Sequence, residues 1–197
     1  MYRVIGTVKS RAFRVLWMLE ELGQDYVLVT AGPRSDEARQ YNPLGKIPAL
    51  VDGDDVLTDS VAIMTYLADR HGQITAPAGT PARARQDAMT LWLIDELDAA
   101  LWLNTKHTFA LPEKLRVPGL KPTLDKEFLR NADTFAAMLE AAGGEFIMGD
   151  QISVPDLLAV HCFGWAFGAE FPAIPDPLKA YTKRLRARPQ FRAAQDN

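Results

Sequence analysis

The sequence predicts a chain whose first part is α/β and whose second part is entirely helical. Up to Gly72, short apolar runs typical of strands alternate with helical patterns in the order β-α-β, then β-β-α. Thr, Ala, Pro and Gly then dominate a short connector, and no convincing strand follows it. We therefore expect an α/β domain over residues 1–73, a linker over 74–82 and a helical domain over 83–197.

The first domain begins with a βαβ unit. The strand "YRVI" leads into the helical pattern "SRAFRVLWMLEEL", which Gly23 ends, and the strand "YVLV" follows. After a polar stretch, "PALV" and "VLT" flank a turn at Asp52 and Gly53, which predicts an antiparallel hairpin. A further helical pattern begins at Asp59 and ends at Gly72.

Three long helical patterns make up the second domain, and shorter helices close the chain. They run roughly over residues 83–105, 124–142 and 153–169. The third starts with "ISVPDLL", in which Ser153 is a favoured cap and Asp156 can return a bond to the cap's backbone. The role of this motif is in folding rather than in chemistry.

Composition narrows the class of protein. The 197 residues are 48% hydrophobic and 24% charged, with a net charge of -3, so nothing indicates a polybasic surface for nucleic acid. Cys162 is the single cysteine, which excludes an internal disulfide framework. The apolar run from Leu157 is shorter than the roughly 18 to 20 residues of a membrane span. We expect a cytoplasmic protein, because the amino terminus "MYRVIGTVKS" has no long apolar core of a signal peptide. We expect no metal, because no His, Cys and carboxylate spacing suggests a metal site.

Pro48 stands where a strand should begin. Proline has no backbone N–H, so it fits a ladder only at the first position of the strand. An X-Pro bond is also the bond that most readily adopts the cis form. A cis Pro48 would turn the N–H and carbonyl of Ile47 outward, toward a ligand.

Asp59 and Ser60 open the next helix. The unpaired N–H groups and the positive dipole of a helix start favour an anion such as a carboxylate. The carboxylate of Asp59 can in turn accept an ammonium group. The pair therefore suits the zwitterionic end of an amino acid, and the backbone of Ile47 could pair with the rest of a short peptide.

The run Asn42-Pro43-x-Gly45-Lys46-x-Pro48-x-Leu50, followed by Asp59-Ser60-x-Ala62-Ile63 and Tyr66-Leu67, resembles the glutathione-binding half of the glutathione transferases. "SRAFRVLWMLEELG", "ISVPDLL" and "RPQFRAA" are similar to further segments of the same family, in its cytosolic, bacterial-type, theta-like and beta-like members. The resemblance implies a thioredoxin-like first domain in the order β-α-β-α-β-β-α and an all-helical second domain. It implies glutathione as co-substrate and a homodimer as well. It also implies conjugation of the glutathione thiolate to an electrophilic small molecule, a detoxification reaction.

Site residues are carried over position by position. Ile47 and Pro48 would hold the cysteinyl backbone, Asp59 and Ser60 the γ-glutamyl end, and Lys46 the glycine carboxylate. The resemblance also implies substrate contacts at Phe13 and at Asp98, which would reach the glutathione amine of a neighbouring subunit. The pattern further implies that Trp102, Lys106 and Phe109 edge the pocket of the second substrate.

The sulfur position departs from the family pattern, because no tyrosine or cysteine stands there. Thr7 matches the serine of theta-like members, and Ser10 matches the cysteine of beta-like members. We expect both hydroxyls to face the sulfur, with Ser10 the stronger because it also lies at the start of the first helix. Apart from the resemblance, Ser10 is more simply interpreted as the cap of the first helix, a role that is compatible with a sulfur contact. Two alternatives to a conjugating transferase remain on this fold. One is a glutathione-dependent isomerase or dehalogenase, and the other is a non-catalytic glutathione-binding or partner-docking module.

Overall fold

The computed structural model describes all residues from Met1 to Asn197. The chain forms two compact units, which we describe one at a time. The first contains residues 1–83 together with residues 185–197, and the second contains residues 84–184. None of the helices combines the length and the apolar character that crossing a membrane requires.

A four-stranded mixed sheet organises the first unit. Its strands are β1 (Tyr2–Gly6), β2 (Tyr26–Thr30), β3 (Ala49–Asp52) and β4 (Asp55–Thr58). They lie in the order β2-β1-β3-β4, with β1 parallel to β2 and β3 antiparallel to both of its neighbours. With the helices between them, this confirms the predicted β-α-β-α-β-β-α order and the thioredoxin-like fold of the first domain.

Two helices connect these strands, α1 (Ala12–Glu21) and α2 (Asp36–Tyr41), and α3 (Ser60–His71) follows the last strand. Every residue of α1 from Ala12 to Leu19 is buried, so this helix lies in the core rather than on the surface. One side of α3, including Ile63 and Leu67, is buried as well. Burial of these apolar side chains supplies most of the stability of the unit.

The second unit is helical, as predicted. Its helices are α4 (Pro81–Leu93), α5 (Ala99–Thr105), α6 (Lys121–Ala142), α7 (Val154–Gly168) and α8 (Asp176–Arg186). The first long helix extends beyond its predicted end at Thr105, because wider turns at Ile94–Asp98 and Lys106–Ala110 continue it to Ala110. Such wide turns admit one extra residue into a helix and shift its exposed face.

Asp156 organises the start of α7. Its carboxylate accepts hydrogen bonds from the backbone N–H groups of Ile147 and Ser153 at 2.9 and 2.8 Å. The hydroxyls of Ser153 and Tyr181 donate to it at 2.7 and 2.6 Å. Burial raises the pKa of this carboxyl, against the effect of its four donors. The predicted capping box is confirmed and is part of a larger buried network.

The last helix, α9 (Pro189–Gln195), packs on α1 in the first unit. The ring of Phe191 meets the rings of Phe13 and Trp17 edge to face, with centroids 4.9 Å apart in each pair. Arg188 and Glu21 form a bidentate ion pair at 2.6 Å. The sequence analysis grouped these terminal residues with the helical domain, whereas aromatic packing attaches them to the sheet-containing unit.

Candidate functional site

The sheet register brings three chain segments to one edge of the first unit. Ala49, the first residue of β3, lies between Ile5 of β1 and Thr58 of β4. Thr7 follows β1, Pro48 precedes β3 and Asp59 follows β4, so all three leave the sheet at the same edge. A Cβ on Gly6 would lie 3.7 Å from the Cβ of Ile47, which confirms how closely these segments approach.

The segment before β3 is held in shape by Asn42. Its buried side chain donates to the carbonyl of Lys46 and accepts from the N–H of Leu44, each at 3.1 Å. Gly45 has a φ of 63°, and a Cβ there would lie 2.9 Å from the Cα of Arg34, so only glycine fits. The Ile47–Pro48 peptide is cis, as expected. Ile47 lies outside the strand ladder, and the side chain of Lys46 is exposed.

Asp59 caps the amino end of α3. Its Oδ1 accepts from the N–H groups of Val61 and Ala62 at 2.9 and 3.1 Å, and its carbonyl accepts from Ile63 at 2.9 Å. The sequence predicts free N–H groups at this helix start, but the side chain of Asp59 accepts from those of Val61 and Ala62. The N–H and the hydroxyl of Ser60 therefore remain as the donors for a ligand.

Ser60 is buried, at 3% exposure, and accepts a hydrogen bond from Arg14, a residue that the sequence did not single out. The Nη1 of Arg14, on α1, donates to the Oγ of Ser60 at 3.2 Å. Arg14 is 0% exposed although it carries a full charge. The signal in the sequence is an arginine inside the apolar pattern "AFRVLWML", where a helix core would otherwise be continuous.

The two hydroxyls near the end of β1 differ in their bonding. The Oγ of Ser10 donates to the carbonyl of Thr7 at 2.8 Å and accepts from the N–H of Ala12 at 3.1 Å. Its single proton is therefore already used. The hydroxyl of Thr7 is half-buried and makes no hydrogen bond within the protein. The geometry favours Thr7 as the donor to a ligand, the reverse of the expected order.

Phe13 is buried against Phe191 and Trp17. The substrate contact expected of Phe13 stays a prediction. The ionisable groups of the first unit with shifted pKa values lie elsewhere. Burial raises the pKa of Tyr2, which bonds His71 at the far end of α3, and the hydrogen bond to Asp52 raises that of Tyr66.

The remaining predicted residues belong to the second unit. Asp98 is buried in the wide turn after α4, whereas Trp102 and Phe109 are exposed and Lys106 is half-buried. A cavity of about 370 Å³ lies nearby, and its lining includes Asn104, His107, Thr108, Arg116 and Lys121. Trp102, Lys106 and Phe109 are not among the residues that line it. No group of three or more His, Cys, Asp or Glu residues is arranged to hold a metal ion.

Comparison with known proteins assigns the family. Residues 10–77 match the glutathione S-transferase N-terminal domain. Human glutathione S-transferase theta-1 is 35% identical over 131 residues, which cover 64% of this chain and 54% of the human protein. The chain thus spans about half the length of that relative.

Two solved structures share the whole fold. A glutathione transferase from Methylococcus capsulatus is 27% identical, with a TM-score of 0.84 over 100% of this chain and 98% of the other. A family member from Pseudomonas fluorescens, solved with two glutathione bound, is 22% identical, with a TM-score of 0.81 over 98% and 92%. The matched residues and the similarity to the human theta-1 protein show that the chain belongs to the glutathione transferase family.

Proposed function

We propose that this protein is an active glutathione transferase, which binds glutathione at the sheet edge and directs its thiolate at an electrophilic small molecule. One observation carries the proposal. A free hydroxyl at Thr7, an unpaired strand entrance at Ile47 and a helix start at Asp59 follow one another across adjacent strands. Their order matches the thiol, the cysteinyl backbone and the γ-glutamyl end of glutathione.

Each part of the tripeptide has a chemically matched group. The ammonium of the γ-glutamyl end meets the carboxylate of Asp59, and its α-carboxylate meets the N–H and hydroxyl of Ser60. The cysteinyl N–H and carbonyl pair with the backbone of Ile47, as in an added antiparallel strand. Lys46, whose side chain is exposed beside this strand, binds the glycine carboxylate.

Thiolate stabilisation then supplies the chemistry. A hydrogen bond from Thr7 to the sulfur favours the thiolate by about 1.5 to 3 kcal/mol, which lowers a thiol pKa by one to two units from about 8.5. The thiol proton passes to solvent, the sulfur forms a bond to the electrophilic carbon, and the leaving group departs with its electron pair. Holding both reactants in one complex supplies the rest of the acceleration.

A conjugation assay tests this proposal. Purified protein mixed with glutathione and chlorodinitrobenzene should release chloride and form the thioether faster than glutathione alone. A panel of further halides and an isomerisable unsaturated ketone would cover the alternative reactions. Glutathione binding in calorimetry without turnover of any of these electrophiles would reject the proposal and favour a binding module.

We further propose a cytoplasmic homodimer that packs through α3 and α4, in which Asp98 approaches the glutathione amine of the partner. The exposed residues of α3 and of the first part of α4 offer the surface for this contact. Sedimentation velocity at micromolar concentration should give a mass near twice 21.9 kDa. A single species at the monomer mass would reject the dimer.

A further inference from the structure

We propose that Arg14 is a positioning residue for glutathione, which aims the hydroxyl of Ser60 at the α-carboxylate of the γ-glutamyl end. The inference rests on the proposed function and adds a residue to it. Arg14 lies on α1, away from the helix start that would touch the ligand, and acts through Ser60.

The hydrogen-bond chemistry of the pair fixes the direction of the serine proton. A guanidinium only donates, so the 3.2 Å contact from Nη1 of Arg14 makes the Oγ of Ser60 an acceptor there. The hydroxyl has one proton and must point it elsewhere. Accepting a bond from a charged donor also polarises the hydroxyl, which makes it a stronger donor to a ligand.

Charge at the amino end of α3 gives a second, independent reason. Asp59 places a carboxylate there and uses the N–H groups of Val61 and Ala62, so the helix start offers less to an anion than its dipole suggests. A ligand carboxylate at Ser60 would be a second negative charge close to Asp59. By donating to the Oγ of Ser60, Arg14 strengthens the bond from that hydroxyl to the carboxylate, which offsets the repulsion while Asp59 stays available for the ligand's ammonium.

Burial makes the pair effective. Arg14 and Ser60 are 0% and 3% exposed, so neither water nor salt screens the guanidinium as it would on a surface. Without competing water, the hydrogen bond from Nη1 of Arg14 holds the Oγ of Ser60 in one orientation.

Comparing two ligands distinguishes a positioning role of Arg14 from a role in stabilising the fold. Glutathione carries the α-carboxylate, whereas γ-aminobutyryl-cysteinyl-glycine keeps the amine and the thiol but lacks it. Calorimetry with Arg14→Met should show at least about a tenfold loss of affinity for glutathione and less than about a twofold change for the analogue. Arg192→Met, an exposed arginine on α9, should leave both affinities unchanged.

A double-mutant cycle tests the route through Ser60. Arg14→Met should cost at least about tenfold in glutathione affinity in the native background, but less than about threefold in Ser60→Ala. Equal losses in both backgrounds, or equal losses for both ligands, would overturn the positioning role and leave the proposed function intact. No binding of glutathione by the native protein would overturn both. Arg14→Gln, which is neutral but can still donate, provides a second variant if Arg14→Met does not fold.

Discussion

Two hydroxyls three residues apart at the end of β1 have different local tasks. Ser10 closes the turn into α1 by bonding the carbonyl of Thr7 and the N–H of Ala12. Thr7 lends that turn only its backbone, and its hydroxyl stays free. A residue whose proton is committed to a carbonyl is a poor donor to a thiolate, so we propose Thr7 rather than Ser10 for the sulfur contact.

Thr7→Val should therefore raise the pKa of bound glutathione by about one unit, equivalent to about 1.4 kcal/mol, because it removes the donor and keeps the shape. Ser10→Ala should change that pKa less, while it lowers the free energy of unfolding by about 0.5 to 2 kcal/mol through loss of the turn. The ultraviolet absorbance of the thiolate against pH measures the first effect, and denaturant unfolding the second. A larger pKa change in Ser10→Ala would restore the original ranking.

Asp59 combines a cap with a proposed ligand contact, and substitution can divide the two. Asparagine is an equally good cap and tolerates the positive φ of 71° found here, but it has no charge. Asp59→Asn should keep the melting temperature within about 2 °C and weaken glutathione binding about tenfold. Asp59→Ala should lose both stability and affinity. Full affinity in Asp59→Asn would mean that the amine does not contact this carboxylate.

At the scale of elements, periodicity and turn chemistry predicted the strands, α1, α3 and the long helices, whereas α2 followed only from the family resemblance. They could not predict how the donors at the start of α3 are shared, because a pattern shows that Asp59 can cap but not that it takes two N–H groups. Arg14 was missed for a similar reason. A single arginine in a helical pattern is usually solvated, and its burial depends on which elements cover α1.

The buried network at the start of α7 makes stability depend on pH. Burial and the neighbouring Asp156 raise the pKa of Tyr181 well above 10 in the folded protein, whereas the unfolded chain ionises near pH 10. Below pH 10 both states keep the proton, so the contribution to stability is complete. Above pH 10 only the unfolded state releases it, and the free energy of unfolding falls by up to about 1.4 kcal/mol per pH unit for this group.

In Tyr181→Phe, the free energy of unfolding should therefore fall less steeply between pH 10 and pH 11, because the unfolded state releases about one proton fewer. The variant should also be less stable at neutral pH, because Asp156 loses one donor. Urea unfolding followed by circular dichroism at a series of pH values provides the measurement. Tyr41→Phe is the matched control, because the Tyr41 hydroxyl makes no hydrogen bond in the structure. An unchanged slope in Tyr181→Phe would place the high-pH sensitivity elsewhere.

At the scale of the whole molecule, the two compact units are not two continuous halves of the chain. The sheet-containing unit is completed by residues 185–197, which come from the far end of the sequence. Helical periodicity predicts that these residues form a helix, but it holds no information about which distant surface the helix covers. The ring of Phe191 fixes the position of this helix, because it contacts the rings of Phe13 and Trp17 on α1.

Phe191 should therefore stabilise the first unit, although α9 lies far from α1 along the chain. Arg188, just before α9, and its ion-pair partner Glu21 on α1 are 167 residues apart. Phe191→Ala removes a buried ring in contact with Phe13 and Trp17, and we expect a loss of about 3 to 5 kcal/mol in the free energy of unfolding. Arg192→Ala, on the exposed side of the same helix, should change it by less than about 0.5 kcal/mol. Hydrogen exchange would locate the effect, with faster exchange expected in α1 and at the sheet edge. Loss confined to α9 itself would mean that the terminal helix is an appendage and not part of the core of this unit.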